Sequence, residues 1–466
     1  MLFSVTDFFI PMPKLWEKKT TSKIHASLER FETAEDLMYD GLLTEADIYG
    51  SAAHAKMLGS IKILTKTEVE KLVTALHTIL KKYQDKEFDL KHGDEDIHTK
   101  IENELVQLTG DVGKKIHTGR SRNDQVLVDM RIFSKEQIYL IKEQLLGLIQ
   151  LFIQYAKKWE DIPMPGYTHM QKAMPSSVGL WLGAFAESLV DSLKLLETAF
   201  DLIDQSPLGS GAAYGVTLPL DRQMTADLLG FSKVQNNSLY CQNSRGKIES
   251  AVLFALMNIT SDVSRFASDV LLFTTSEFNL FTVDKSICTG SSIMPQKQNV
   301  DIAELIRSKV HIMFGFFTQV YTVGLNLPSG YNRDLQDTKK PYMEALKLSG
   351  DILEVAQLLL TNISPNAKVL KASMTKELYA TSLAYDYVQQ GMPFRTAYQK
   401  VGDNLDTIPD FDVQKELKKS THLGSTGNLN LDGLQKSIQQ KQQKLKADHK
   451  RWQQLLHSLL STNSNR

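Results

Sequence analysis

The chain of 466 residues carries 53 lysines and arginines against 54 aspartates and glutamates, which gives a formal net charge of −1. This length predicts two or three substructures around a core that needs no disulfides or structural metal. The balanced charge disfavours nucleic acid as a partner, because no positive excess is present to attract phosphates. Only Cys241 and Cys288 offer thiols, which argues against a thiolate metal cluster and favours a reducing compartment, the cytoplasm.

The first residues, MLFSVTDFFIPMP, are apolar but do not have the pattern of a leader peptide. Asp7 interrupts the run, no basic stretch precedes it, and no small-residue cleavage site follows. No stretch of the chain approaches the ~18 consecutive uncharged apolar residues that a membrane-spanning helix needs. We therefore expect no membrane partner, and we interpret residues 1–11 as a frayed extension.

Helical periodicity organises the middle of the chain. Apolar residues recur at spacings of three and four from about Asn123 to Trp159, which predicts one long helix packed against another. Further seams of this kind follow, and strict two-residue alternation is rare, so we predict an all-α fold with five long helices in an elongated bundle. We expect three helical domains: residues 1–119, a central bundle at 120–368 and a smaller domain at 369–466.

The basic, glutamine-rich segment near the C-terminus is interpreted as an amphipathic helix on the protein surface. A nucleic-acid-binding arm is the alternative, but the apolar residues of the segment fall on one helical face. The residues predicted to face inward are Leu434, Ile438, Leu445, Trp452 and Leu456.

A first polar cluster lies at residues 115–133, KIHTGRSRNDQVLVDMRIF. Its apolar face places Arg120, Ser121 and Asn123 at the start of the long helix, where free backbone N–H groups and the helix dipole favour anions. Guanidinium groups and amides together would form a receptor for a carboxylate or a phosphate. The structural alternative is a capped helix with solvated arginines.

A second cluster, MPGYTHMQKAMPSS at residues 164–177, holds Thr168 and His169 between prolines and ahead of a helix that begins near Ser177. A lone histidine is usually structural, but here neighbouring hydroxyl and amide groups point to a polar site. The third cluster is the loop GSSIMPQKQN at 290–299, with Glu304 one turn into the next helix; the alternative is a disordered Gly-Ser loop.

The fourth cluster, GYNRDLQDTKK at 330–340, could hold a polar end of a substrate or form a surface turn. The fifth, GDEDIHTKIE at 93–102, gathers carboxylates around His98. We favour a structural role for this group, because acidic residues are expected in the first turn of a helix. No zincin, EF-hand or paired-cysteine spacing occurs, so we predict no metal.

In this order, these clusters resemble the argininosuccinate lyase family, a branch of the fumarase and aspartase superfamily. The resemblance also includes LW at 15–16, DIYGSAAHAKML at 47–58 and PLGSGAAYG at 207–215, so it spans nearly the whole chain. The GSSxMPxKxN loop is shared by the superfamily and implies the reaction type. HTGRSRNDQ and YNRDLQDTK are specific to the argininosuccinate branch and imply the substrate.

The resemblance implies a carbon–nitrogen lyase of arginine biosynthesis that removes arginine from argininosuccinate, leaves fumarate and needs no cofactor. It implies a homotetramer whose long helices form a core of roughly twenty helices. Active sites in the family take residues from three subunits, so the resemblance implies that a monomer is inactive. By correspondence, Ser291 is the base, Lys297 and Asn299 stabilise carboxylate charge, and His169, positioned by Glu304, helps to protonate the leaving nitrogen. The implied substrate-binding residues are Asn123, Thr168, Tyr331, Gln336, Lys339, Asn299, Arg120 and Ser121.

The chain departs from the family pattern in two places near these residues. Gln298 and Val300 replace a lysine and a proline that the family usually has in the loop. Asp36 aligns with a serine that contacts substrate, where a carboxylate would repel a substrate carboxylate or bind its cationic end. Two rivals are another fumarate-releasing branch, of the adenylosuccinate lyase or aspartase type, and a catalytically inactive structural homologue. A scaffold that uses the basic C-terminal helix is a third.

Overall fold

The computed structural model describes residue 31, residues 36–91 and residues 94–461. Short helices precede and follow five long ones, and the last helix of the chain is again long. In chain order the α-helices are α1 (Asp36–Gly41), α2 (Thr44–Ser60), α3 (Lys66–Gln84), α4 (Ile97–Thr109), α5 (Arg122–Lys158), α6 (Val178–Ile203), α7 (Arg222–Leu228), α8 (Ser238–Asn243), α9 (Lys247–Phe273), α10 (Asp301–Val323), α11 (Lys339–Thr361), α12 (Ala367–Ala372), α13 (Ala380–Gln389), α14 (Phe394–Gly402), α15 (Val413–Lys419) and α16 (Leu431–Leu459).

The strands in the described residues are short and form four two-stranded sheets. They are β1 (Pro163–Thr168) with β2 (Gln171–Ser177), β3 (Gln205–Ser206) with β4 (Lys233–Val234), β5 (Phe281–Val283) with β8 (Ile363–Pro365), and β6 (Thr289–Gly290) with β7 (Gln298–Asn299). The β3–β4 pair is parallel and the other three are antiparallel. The all-α prediction is confirmed, since these strands are two to seven residues long and the helices form the framework of the described residues.

The predicted long helices are confirmed. The first, α5, spans 37 residues and packs against α6, α11 and α16, while α9 packs against α6, α10 and α11. Aromatic rings fill the centre of this bundle: Phe152 lies 5.0 Å from Phe266 and 5.6 Å from Phe185, measured between ring centroids. Edge-on and stacked rings at these distances add stabilisation beyond the apolar area that they bury.

The C-terminal helix α16 packs against α5 and joins the main hydrophobic core. The predicted inward residues are confirmed, with Leu434 partly buried at the edge of the core and the other four buried. A separate small cluster forms around Ala384, Ala397, Val401 and Ile408, between α13 and the segment after α14. The three domains at 1–119, 120–368 and 369–466 stay a proposal.

In the part of the chain that the structure describes, no helix is both long enough and apolar enough to cross a membrane. The frayed extension expected at residues 1–11 lies outside the described residues.

Replacing Phe152 by alanine should lower the free energy of unfolding by about 3–5 kcal/mol, because it removes a ring that is 1 % exposed and leaves a cavity between α5, α6 and α9. Chemical denaturation at a fixed protein concentration measures the loss. Leu423→Ala is the control, since Leu423 is 72 % exposed and should change stability by less than about 0.5 kcal/mol. Equal effects of both substitutions would contradict the packing described here.

Candidate functional site

A capping box fixes the start of helix α5. The Ser121 hydroxyl accepts the backbone N–H of Asn123 at 3.3 Å, and the Asp124 carboxylate accepts the N–H of Ser121 at 2.8 Å. The other carboxylate oxygen of Asp124 accepts the backbone N–H groups of Gly209 and Gly211. The capped-helix interpretation is therefore correct for Ser121, and it leaves Asn123 half-buried at the helix start, where backbone donors and the dipole attract anions.

The two arginines beside this cap both make contacts within the protein, although the Arg122 side chain is 42 % exposed. Arg122 lies 2.7 Å from Glu95 and 2.7 Å from Asp96, so its charge is already paired. Arg120 donates a hydrogen bond from Nη1 to the Ser51 hydroxyl at 2.9 Å. Carboxylates of the protein act on the charge of Arg120 as well, Asp47 most strongly, so both guanidinium groups have counter-charges nearby.

His169 occupies the tip of the β1–β2 hairpin. Thr168 pairs with Gln171, which leaves a two-residue turn of His169 and Met170 with φ of 51° and 62°. Positive φ at both central residues is the requirement of a type I′ turn, a turn that usually contains Asn-Gly. The prolines on either side of Thr168 and His169 belong to the paired strands, with Pro165 opposite Pro175.

The strained turn presents His169 to solvent. Left-handed φ costs a residue with a Cβ roughly 1–2 kcal/mol, so two such residues in succession are unfavourable unless the pairing of the strands enforces them. The hairpin is anchored from outside as well, since Lys172 donates a hydrogen bond to the carbonyl of Ser373 at 2.8 Å. Thr168, His169 and Met170 are all exposed, and strain of this kind is concentrated at functional sites.

The loop that contains Ser291 is closed by the β6–β7 pair, in which Thr289 faces Asn299. The Ser291 hydroxyl oxygen accepts the backbone N–H of Met294 at 3.1 Å and lies 3.4 Å from the N–H of Ile293. Two donors aimed at one hydroxyl oxygen favour its deprotonated form. The alternative of a disordered Gly-Ser loop is wrong, because the loop has defined pairing and defined turns.

The base of this loop is tied to the first turn of α10. The Thr289 hydroxyl donates to the Asp301 carboxylate, and the Asn299 amide lies 3.4 Å from the same hydroxyl. The Lys297 side chain and the Glu304 side chain are exposed. The chain thus presents a cation, an acid and a hydroxyl where this loop joins α10.

Tyr331 is placed by contacts with the segment before α9. The guanidinium of Arg245 lies 5.8 Å from the centre of the Tyr331 ring, within the range of a cation–π contact. The Asn243 side chain accepts the backbone N–H of Gly330 at 2.9 Å and fixes the turn. Gln336 is half-buried on the 3₁₀ helix Arg333–Thr338 that leads into α11.

Lys339 is 3 % exposed, and its ammonium lies between two carboxylates. Asp36 is 2.8 Å away, and Asp40 forms the second ion pair. Burial alone would lower the pKa of Lys339, but the charges of Asp40 and Asp36 raise it. Its role as a substrate ligand stays a prediction, one that requires an ion pair to open. The structure thus gives Asp36 a partner within the protein.

A buried cluster of Asp47, His98 and Asp129 offers three donor atoms within 4.8 Å of one another, a spacing at which side chains can hold a metal ion. The distances within the cluster fit a hydrogen bond between two of these side chains better than a shared metal ion. The Asp47 oxygen and the His98 nitrogen are 2.5 Å apart, whereas two ligands of one metal ion, with bonds of about 2.0–2.2 Å, lie farther from each other. The absence of a metal nevertheless stays a prediction.

The sequence analysis missed the partners of His98. Asp47 and Asp129 lie on α2 and α5 at positions that are buried, and a carboxylate at such a position must be paired. The sequence did contain a signal for this pairing: both aspartates fall among apolar neighbours on a helix, where a carboxylate needs a partner. The contact between Arg245 and Tyr331 was not predicted either.

Within one chain the candidate residues form separate groups. The α5 start and the Lys339 region are neighbours, since the charge of Asp40 acts on Arg122. The His169 hairpin instead packs against α12 and α15, and the Ser291 loop leads into α10, which packs on α9 and α11. No hydrogen bond or ion pair among the described residues joins His169 to Ser291 or to Glu304.

Comparison with known proteins identifies the class. The model of a family described as Lyase matches residues 21–315, so the chain is a member of that lyase family. Solved structures show the same fold. EDDS lyase in complex with formate has a TM-score of 0.74 at 21 % identity and covers 95 % of this chain and 94 % of its own. Class II fumarase from Schistosoma mansoni has a TM-score of 0.68 at 16 % identity and covers 82 % and 94 %.

Relatives that are similar in sequence identify the branch of the lyase family to which the chain belongs. Argininosuccinate lyase from Bacteroides thetaiotaomicron is 41 % identical over 92 % of this chain and 95 % of the relative. The enzyme of that name from Thermotoga neapolitana is 42 % identical over 84 % and 98 %. The protein therefore belongs to the argininosuccinate lyase family, as the motifs in its sequence indicated.

Replacing Met170 by glycine should raise stability by about 1 kcal/mol, because glycine adopts the left-handed turn conformation without a Cβ penalty. Thermal unfolding measures the change. Met174→Gly is the matched control: Met174 lies within β2, where glycine should lower stability by about 0.5–1 kcal/mol. If Met170→Gly destabilised the protein as much as Met174→Gly does, the turn would not have the conformation described.

Proposed function

We propose that the protein catalyses the reversible β-elimination of argininosuccinate to L-arginine and fumarate, a step of arginine biosynthesis. Family membership makes it a carbon–nitrogen lyase, and its relatives from several bacteria carry the name of this activity. The observation that carries the chemical proposal is the Ser291 hydroxyl, whose oxygen accepts two backbone N–H groups in a closed loop.

Ser291 acts as the base in this proposal. The proton to be removed lies on carbon beside a carboxylate, so removing it places further negative charge on that carboxylate. A serine acts as a base only once its hydroxyl has lost its proton, and the N–H groups of Ile293 and Met294 stabilise that alkoxide form. Lys297 and Asn299, on the same loop, stabilise the charge that develops on the substrate.

His169 assists departure of the guanidino nitrogen as the acid. Its imidazole is exposed at the tip of the β1–β2 hairpin, where it can enter a site built with another subunit. Glu304, exposed in the first turn of α10, is the carboxylate that would orient it. A carboxylate beside the imidazole fixes the orientation of the ring and keeps it protonated near neutral pH, so the acid form is present when the nitrogen leaves.

Substrate recognition is assigned to the polar ends of the helices. Arg120, Ser121 and Asn123 at the start of α5 provide a guanidinium, a hydroxyl and an amide where the helix dipole favours a carboxylate. Thr168 contributes from the hairpin. Tyr331, Gln336 and Lys339 contribute from the segment before α11. Every group in this scheme is a side chain or a backbone amide, so the proposal includes no cofactor.

The active form is proposed to be a homotetramer with sites shared between subunits. Helix α10 supports this, since large apolar side chains flank its buried face on both sides, which a helix that packs in a single chain does not need. These exposed residues are Leu305, Ile312, Phe314 and Tyr321. Phe254 on α9 is 50 % exposed and belongs to the same kind of surface. Such an apolar surface is typical of an obligate interface. The cytoplasm is proposed as the location.

Ser291→Ala should lower kcat for fumarate release from argininosuccinate by about a thousandfold or more, because the base is lost while the binding groups remain. Ultraviolet absorbance follows fumarate, and adenylosuccinate and aspartate serve as competing substrates. Ser292→Ala, the neighbouring exposed hydroxyl, is the control and should retain activity. Fumarate from adenylosuccinate or aspartate alone would contradict the proposed substrate, and none from any of the three would favour an inactive homologue.

Phe314→Asp should dissociate the tetramer and lower activity at least about tenfold, because a charge on an apolar interface cannot be desolvated without a partner. Light scattering during size exclusion measures the assembly. Tyr398→Asp, which changes a 66 % exposed ring on α14, should leave both assembly and activity intact. Full activity in a Phe314→Asp monomer would refute the shared site.

A further inference from the structure

A fully buried ionic cluster lies behind the start of α5 and has no part in the scheme above. Asp47 on α2, His98 on α4 and Asp129 on α5 are 2 %, 6 % and 1 % exposed. The helices α2 and α5 approach closely here, since a Cβ on Gly50 would lie 3.4 Å from an Asp129 oxygen. Ionisable groups are expensive to bury, so their presence at a helix crossing calls for a physical reason.

The histidine carries the positive charge of this cluster. Its Nδ1 lies 2.5 Å from one Asp47 oxygen and 3.5 Å from one Asp129 oxygen. Burial alone would lower the pKa of His98, but the hydrogen bond to Asp47 and the charges of Asp47 and Asp129 raise it to about 9. Burial and the Asp47 charge raise the pKa of Asp129 well above its usual value. An imidazolium and the Asp47 carboxylate thus form a buried ion pair, with Asp129 beside it.

This pair is connected to the start of α5 through a hydroxyl. The second Asp47 oxygen accepts the Ser51 hydroxyl at 3.1 Å, and the Ser51 oxygen accepts Nη1 of Arg120 at 2.9 Å. The Asp47 charge also acts directly on Arg120. The chain of contacts therefore runs from His98 through Asp47 and Ser51 to the guanidinium, and each link has a defined donor and acceptor.

Arg120 depends on this chain for its orientation. Its Nε is buried and has no hydrogen-bond partner in the described part of the protein, so the contact with Ser51 is a main determinant of where the guanidinium points. A guanidinium recognises a carboxylate through a planar fork, and a tilt of the fork loses one of the two hydrogen bonds. The angle set by Ser51 hence matters for binding an anion.

We propose that His98 is a positioning residue: paired with Asp47 beside Asp129, it fixes the carboxylate that orients Arg120 through Ser51. The inference rests on the proposed function, in which Arg120 binds a carboxylate of the substrate. His98 touches no substrate in this arrangement. Its effect is on binding, because a misoriented guanidinium weakens the ground state and the transition state alike.

The experiment compares His98→Leu, which removes both the charge and the donor, with His98→Gln, whose amide can still donate to Asp47. His98→Leu should raise KM for argininosuccinate about tenfold while kcat changes less than about threefold. His98→Gln should recover most of the lost affinity. Ser51→Ala removes the hydroxyl that connects Asp47 to Arg120, so it should also raise KM, with little loss of thermal stability. This variant tests the proposal if His98→Leu does not fold.

A matched control is the pair of His449 on α16 with Glu136 on α5, the helix that also carries Asp129. His449 lies 2.9 Å from the Glu136 carboxylate, so His449→Leu removes a histidine–carboxylate pair far from the helix start and should leave KM unchanged. Hydrogen exchange of residues 117–126 provides a readout that does not need activity. Exchange there should accelerate in His98→Leu and Ser51→Ala but not in His449→Leu.

The outcomes separate the two proposals. Unchanged KM and unchanged exchange at residues 117–126 in both His98→Leu and Ser51→Ala would overturn the positioning role, even if thermal stability fell. A wild-type protein that releases no fumarate from argininosuccinate would refute the proposed function, and the exchange measurement would then decide the positioning role by itself.

Discussion

The apolar seam along helix α5 is the constraint on which the rest of the structure depends. Its buried residues bring α2 from the N-terminal region, α6 and α11 from the central bundle and α16 from the C-terminus to one element of 37 residues. Such a helix is roughly 55 Å long, and packing along its whole length determines where its first turn lies. The position of the polar residues at that turn is therefore set mostly by hydrophobic contacts far from them.

The polar residues of the candidate site share a second constraint: each lies where a rigid helix or strand pair ends. Asn123 opens a capped helix, His169 forms the tip of a paired hairpin, and Ser291 lies in a loop closed by two short strands. Side chains at such ends are exposed enough to meet a ligand, while their backbones are held in place. The buried cation of Lys339 is paired with carboxylates, because an uncompensated charge in the interior would be strongly destabilising.

The parts of this arrangement that the sequence predicts are those with a local signal. Burial of one helix face makes apolar residues recur about every 3.6 positions, so the long helices could be predicted from the sequence. Helix α5 begins one residue before its predicted start. The β1–β2 hairpin has no such signal, since its strands contain prolines and a glycine and its turn lacks Asn-Gly. The Lys339–Asp40 ion pair joins residues 299 positions apart, and the partners of His98 lie on other helices. Pairings at such separations follow from the tertiary packing, and the resemblance to a family identified residues, not their partners.

In a single chain the apolar flanks of α10 and the loop that carries Ser291 are both open to water. Assembly with another subunit would bury both. The apolar flanks of α10 remain in water, and on the same helix and its preceding loop Glu304 and Lys297 have no buried environment. Burying those flanks against another subunit would also enclose the loop that carries Ser291, because the loop is tied to the first turn of α10 through Thr289 and Asp301. A serine alkoxide persists only where water is excluded. Assembly, which the hydrophobic effect drives, would therefore create the dry environment that the proposed chemistry requires, and the stability of the oligomer and the basicity of the Ser291 alkoxide would rise together.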